Sequence, residues 1–225
     1  MPSFRRSAAT NLSLLPPPPA GHGSPLTETP AGRVLHDFGY GAVRAQRHVN
    51  PDGSLGGWVA HTAHVEETAV VDHDAVVFGN ARVFGNAQVL GAAKVCDNAR
   101  IHDDAIISGE AKVGGNCKVI DAEVGHQARV IGNAHVSGGA RIGGAAFVTG
   151  ESRIMGNALV HGEAMVGGRA WIGGGEIAGQ AKVDGMAAVH PGARLLGAEH
   201  VSAGTHGPIG ATELNDTNAL ATAHR

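Results

Sequence analysis

The sequence predicts an all-β, single-domain fold: a three-sided parallel β-helix with an N-terminal cap and flexible termini. Three observations carry that expectation. Between Val59 and Val201 an aliphatic residue returns every six positions, through Val65, Val71, Val77, Val83, Val89, Val95, Ile101 and onward, for twenty-five such positions. Two residues before each stands something small, nearly always alanine, as at Ala81, Ala87, Ala93 and Ala99. The residues that follow are typically Gly-Asn, as at Gly79-Asn80, Gly85-Asn86 and Gly132-Asn133.

In an extended chain residues i and i+2 share a face, so the alanine and the aliphatic residue point inward and the residue between them faces solvent. Glycine and asparagine tolerate left-handed backbone angles and therefore mark corners. Each hexad supplies one short flat side and one turn, the repeating unit of a solenoid. Two short steps set the number of sides: Val119 to Val124 and Ile172 to Ile177 each span one residue fewer than a hexad. They lie nine steps apart, a multiple of three, and the words EVGHQA and EIAGQA follow them. Both short steps thus fall on the same corner of a three-sided coil. Three hexads per turn give about eight turns, and at ~4.8 Å between strands a rod about 40 Å long.

The elements follow in order. Residues 1–33, with Pro16 to Pro19 and scattered Gly, Ser and Thr, cannot bury enough surface to offset their ordering entropy and are expected to be a disordered extension, or a docking segment for a partner. Residues 34–58 are expected to form a cap, with a strand around Val43 to Val49 and a turn at Asn50 to Gly53, because an uncapped solenoid exposes its interior and its strand edges. Residues 59–204 form the coil. From Thr205 the pattern is lost, and 205–225 is expected to be a frayed tail or one weak helix.

Composition agrees with a narrow core and excludes several functions. Glycine supplies 35 residues and aromatics only 4% of 225, so large side chains cannot fill a broad interior. With 17 basic and 20 acidic residues the net charge is −3, which gives the whole molecule no electrostatic case for nucleic acid. Any charge-based recognition must be local. Cys96 and Cys117 lack zinc-type spacing, and no apolar run is long enough to cross a membrane. The first residues carry two arginines but no apolar stretch of the signal-peptide kind, so a cytoplasmic protein is expected.

The hexads resemble those of the hexapeptide-repeat left-handed parallel β-helix, the superfamily of the trimeric lipid A acyltransferases. Leu55-Gly56-Gly57-Trp58, followed by repeats of the V-x-G-N-A-x kind, is similar more closely to the YdcK-like bacterial β-solenoid family, generally labelled putative transferases. The likeness covers about residues 34–204; the proline-rich extension and the loss of corner asparagines after Asn157 depart from it. It implies a left-handed coil, a hand that spacing alone does not set. It also implies a homotrimer, and an acyltransferase using acetyl-coenzyme A at the interface between subunits. Such enzymes usually extrude a loop that helps build the coenzyme pocket and positions a histidine. This coil has two deletions and no insertion.

Fourteen histidines invite a metal or acyl-transfer reading, since imidazole is both ligand and general base. No set of three converges by spacing, so no metal and no resident cofactor are expected. The candidate base for the acyltransferase reading is His126, beside the first short corner and near Glu123. Glu123 and Glu176 each precede an arginine by eighteen residues, Arg141 and Arg194, so one rung of ion pairing accounts for both glutamates. Stacking the outward residues by turn reveals a column: His64, Arg82, Arg100, Lys118, His135, Arg153 and then Trp171. Like charges stacked at ~5 Å repel and cost stability. One reading is a linear site for an anionic polymer or a charged protein partner, with Trp171 as a stacking platform. The other is a solvated face neutralised by corner acids such as Asp103, Asp104, Asp121 and Glu151. Cys117 takes an inward alanine position, and Cys96 is expected at an exposed corner. The resulting expectation is a non-catalytic structural or binding solenoid, with the acyltransferase as alternative.

Overall fold

The computed structural model describes residues 34–207, so the extension over 1–33 and the tail beyond 207 lie outside the described residues. The described chain is a parallel β-solenoid of about eight turns. After β1 (Val34–Asp37), β2 (Ala42–Val49) and β3 (Leu55–Ala60), every strand from β4 (His64–Val65) to β28 (Thr205–His206) is two or three residues long. Three sheets run along the coil. Sheet A holds β3 and every third strand to β27 (His200–Val201), sheet B runs from β4 to β28, and sheet C from β5 (Val70–Val71) to β26 (Arg194–Leu195).

Both short steps lie where the chain passes from sheet B to sheet C, between β13 (Lys118–Ile120) and β14 (Glu123–Val124) and between β22 (Trp171–Ile172) and β23 (Glu176–Ile177). Ile107 therefore opposes Val124, seventeen residues on, while Val124 opposes Ile142, eighteen on. The missing residue comes out of the corner, so every strand keeps its inward and outward alternation.

The interior is one continuous file of small aliphatics. Of the twenty-five aliphatic positions, 23 are buried, and the other two, Val65 and Val201, are partly buried on terminal strands of their sheets. Each fully buried valine contributes about 1.5–3 kcal/mol against exposure, offset largely by chain entropy. Alanine two positions earlier lets opposite walls approach. Cys117 and Ser152 replace it in two hexads, and Ser152 Oγ donates to the Thr149 carbonyl at 2.9 Å, so the buried hydroxyl is satisfied.

The corners differ from the expectation in one respect. From Gly79 to Gly185 the left-handed residue is the glycine, as at Gly79 and Gly132, and not the asparagine after it; where glycine is absent in that span the position is taken by Asp97, Asp103, Asp121 or His126, with φ between 48° and 61°, while the earlier corners at His61, Glu67 and His73 have no left-handed residue. The asparagines serve a different purpose, in side-chain ladders described below.

The cap is an antiparallel meander. β2 pairs with β3 and β1 pairs with β2, which adds β1 to the strand and turn legible in the sequence. Its side chains also close the free edge of β5: Asn50 Oδ1 accepts from the Val71 amide at 2.9 Å, and the His48 ring nitrogen Nε2 lies 2.9 Å from the Ala69 carbonyl. The β1–β2 hairpin folds over the outer face of sheet A, where His36 stacks on Trp58 at 4.7 Å and Phe38 on Phe78 at 5.0 Å. At the other end β28 continues sheet B past the point where the hexads fade, because Ala188 and His190 donate to the Gly204 and His206 carbonyls and such a ladder needs no aliphatic side chain.

Candidate functional site: a cation column on sheet B

Register turns the eighteen-residue spacing into contact. His64 opposes Arg82, Arg82 opposes Arg100, Arg100 opposes Lys118, Lys118 opposes His135, His135 opposes Arg153, and Arg153 opposes Trp171. All seven side chains leave the same face of sheet B, with the arginines and Lys118 exposed and His135 and Trp171 half-buried. Among the described residues none of the four permanent cations pairs with a carboxylate within 4.0 Å.

Three of the four corner acids expected to neutralise the column have other partners, and Asp103 holds a left-handed corner without pairing to the column within 4.0 Å. Glu151 Oε2 lies 3.5 Å from Arg169 Nε. Asp121 Oδ1 accepts from the Asp104 amide at 3.3 Å, and Asp104 Oδ1 accepts from Asn86 Nδ2 at 3.1 Å. Burial, then the charges of Lys118 and Arg153, hold the His135 imidazole below its usual 6.5.

Two features flank the column. Toward its start, Phe84 packs between His64 at 5.6 Å and His102 at 4.9 Å. Along the corner before sheet B runs an asparagine ladder, in which Asn80, Asn98 and Asn116 each donate Nδ2 to Oδ1 of the next, ending on Asn133, at 3.3, 3.0 and 2.9 Å. The lower column and this ladder line an open groove of about 490 Å³ whose far end is made by Arg169 and Trp171. The indole of Trp171 lies over Gly173 and leans on His190, with ring centroids 5.0 Å apart.

His126 stands apart from this groove. It occupies a left-handed corner, φ 60°, stacked on Gly109, whose added Cβ would meet the His126 backbone. Its side chain is exposed, and its carbonyl accepts from the Glu110 amide at 2.7 Å. Glu123 is occupied by Arg141 at 3.5 Å, and Glu176 by Arg194 at 2.9 Å, in the one-rung pairing the spacing indicates. Glu176 also meets His161 Nε2 at 3.0 Å, and these two hydrogen bonds, His161 first, hold its carboxyl below the usual range.

Cys96 is a correction. It is buried rather than exposed, because Gly114 in the next rung leaves room for its sulfur over the strand. Burial, then the Asp97 charge, pushes its thiol up to about 12, and burial pushes Cys117 to about 11, so neither is a nucleophile. Sequence reading also missed a second run of stacked cations, Lys94, Lys112 and Arg129 on sheet A, which the same eighteen-residue stacking would have found. Tyr40 of the hairpin lies against Lys112, with its hydroxyl 3.3 Å from Nζ, so that run is partly covered. Among the described residues no three His, Cys, Asp or Glu side chains converge as a metal site, and no helix is long and apolar enough to cross a membrane.

No known protein family and no curated protein matches this chain.

Proposed function

We propose that the protein is a non-catalytic binding solenoid whose sheet B face takes an extended anionic ligand. One observation carries the reading: Arg82, Arg100, Lys118 and Arg153 stand in a single paired register with His135, and none has an ion-pair partner among the described residues. A run of like charges held one strand spacing apart, ~4.8 Å, is repulsive alone and becomes favourable when an anion lies across it. The finer affinity we infer is with the left-handed hexapeptide-repeat coils, YdcK-like in particular, on the strength of the repeat words and Leu55-Gly56-Gly57-Trp58. A cytoplasmic setting suits the two free thiols. A trimer and an acetyl-coenzyme A site belong to the alternative, and its candidate base sits on a corner that glycine occupies in neighbouring turns.

The test is retention on an anionic matrix. Changing Arg82, Arg100 and Arg153 together to Ser should abolish salt-sensitive retention, since screening acts on that attraction, and should leave thermal stability equal or slightly raised as repulsion is relieved. Unchanged retention would reduce the column to a solvated face.

A further inference from the structure

The groove at the lower end of the column combines three chemistries that one ligand class satisfies together. Lys118 and Arg153 supply unpaired positive charge, and Arg169, paired with Glu151, adds none. Asn116 and Asn133 line its side; Asn116 uses one N–H and one oxygen lone pair in the ladder and Asn133 one lone pair, which leaves further donor and acceptor capacity for a ligand. Trp171 ends the groove with a half-buried indole seated on Gly173, where no Cβ could be placed without striking the ring.

We infer that this groove is a subsite for an acidic polysaccharide of the uronic-acid type, with one sugar ring stacked on Trp171, its carboxylates on Lys118 and Arg153, and its hydroxyls on Asn116 and Asn133. The inference rests on the anionic-ligand reading above and names the ligand class. Hydroxyl groups both donate and accept, so they can use the amide oxygens of the ladder, which repel phosphate oxygens. Lys118 and Arg153 stand two rungs apart, ~9.6 Å, with His135 between them, so carboxylates on alternate sugars of an extended chain can meet both. An acidic peptide would match the charges but leave the indole and the amide edge without use.

The test is fluorescence titration of the Trp58→Phe chain, in which Trp171 is the remaining tryptophan. The probes are an oligogalacturonate of defined length, its methyl ester, inorganic polyphosphate, oligo(dT) and polyglutamate. The oligogalacturonate is expected to bind and shift the emission, with its methyl ester at least about tenfold weaker. Trp171→Ala, assayed by calorimetry, is expected to weaken oligogalacturonate binding roughly 30-fold. Polyphosphate, oligo(dT) or polyglutamate binding as tightly as oligogalacturonate, or oligogalacturonate binding indifferent to Trp171→Ala, overturns the sugar subsite and leaves the cation column standing. No retention of any anion overturns both.

Discussion

The indole of Trp171 and the backbone of Gly173, two residues apart on the outer face of sheet B, fit so closely that the ring occupies the space a Cβ on Gly173 would need. In the other rungs of this sheet the position after the inward aliphatic carries Glu66, Phe84, His102, Ile120, Ser137, Met155 or His190. Only a glycine lets the indole lie down over the strand. Gly173→Ala should therefore lift the ring toward solvent, with a red shift of Trp171 emission and a loss of about 1–3 kcal/mol. Gly167→Ala is the control, since its Cβ would meet Thr149 Cγ2 at an ordinary 3.5 Å, and it should stay within about 0.5 kcal/mol of the parent. Equal effects of both would contradict the seating of the indole on Gly173.

The alternation of faces predicts opposite outcomes at neighbouring residues. Val119 is fully buried and Lys118 exposed. Val119→Asp places an unpaired charge in the apolar file and should cost on the order of several kcal/mol, or yield unfolded chain. Lys118→Ser should be near neutral in thermal stability, and comparable damage from the two would overturn the inward and outward assignment.

Acid should destabilise the protein in two stages. His36 and His135 have folded pKa values below the usual 6.5, chiefly through burial. Between the folded value and 6.5 the unfolded chain binds more protons, so this stability is present above 6.5 and is lost as pH falls through the folded values. Glu176, held down by His161 and then Arg194, and Asp184, held down by Lys182 and then His200, have folded values below the usual 4.5 and 3.8. Their contribution is present above those usual values and is lost as pH falls further, through the folded ones. Thermal midpoints followed from neutral pH downward should show both declines, and His135→Gln should flatten the first. A first decline unaltered in that variant would remove His135 from the account.

His126 bears on the acyltransferase alternative. A non-glycine residue at φ 60° is strained, while glycine raises the entropy of the unfolded chain. His126→Gly should thus lie within about 1 kcal/mol of the parent. On the binding-solenoid reading, acetyl-coenzyme A at millimolar concentration should not move the thermal midpoint, since only a ligand that prefers the folded state raises it. A clear upward shift that His126→Gly abolishes would defeat the binding-solenoid reading.

Much of this molecule is local in origin, and the sequence by itself determined that part. Hexads dictate inward Ala and Val because strand side chains alternate with period two, and the short steps at Val124 and Ile177 count the sides because a coil can drop a residue only at a corner. The column from His64 to Trp171 was legible for the same reason: in a regular coil, sequence spacing is spatial adjacency. What the tertiary structure alone decided involves contacts without a period. Glu151 turns to Arg169 and leaves the column unpaired, a choice between partners that spacing leaves open. Cys96 is buried because Gly114 happens to lie below it, and the hairpin folds its aromatic residues over sheet A because those rings find Trp58 and Phe78 there. Side-chain direction at a corner is set by which neighbour offers space or charge, and that is a property of the assembled coil.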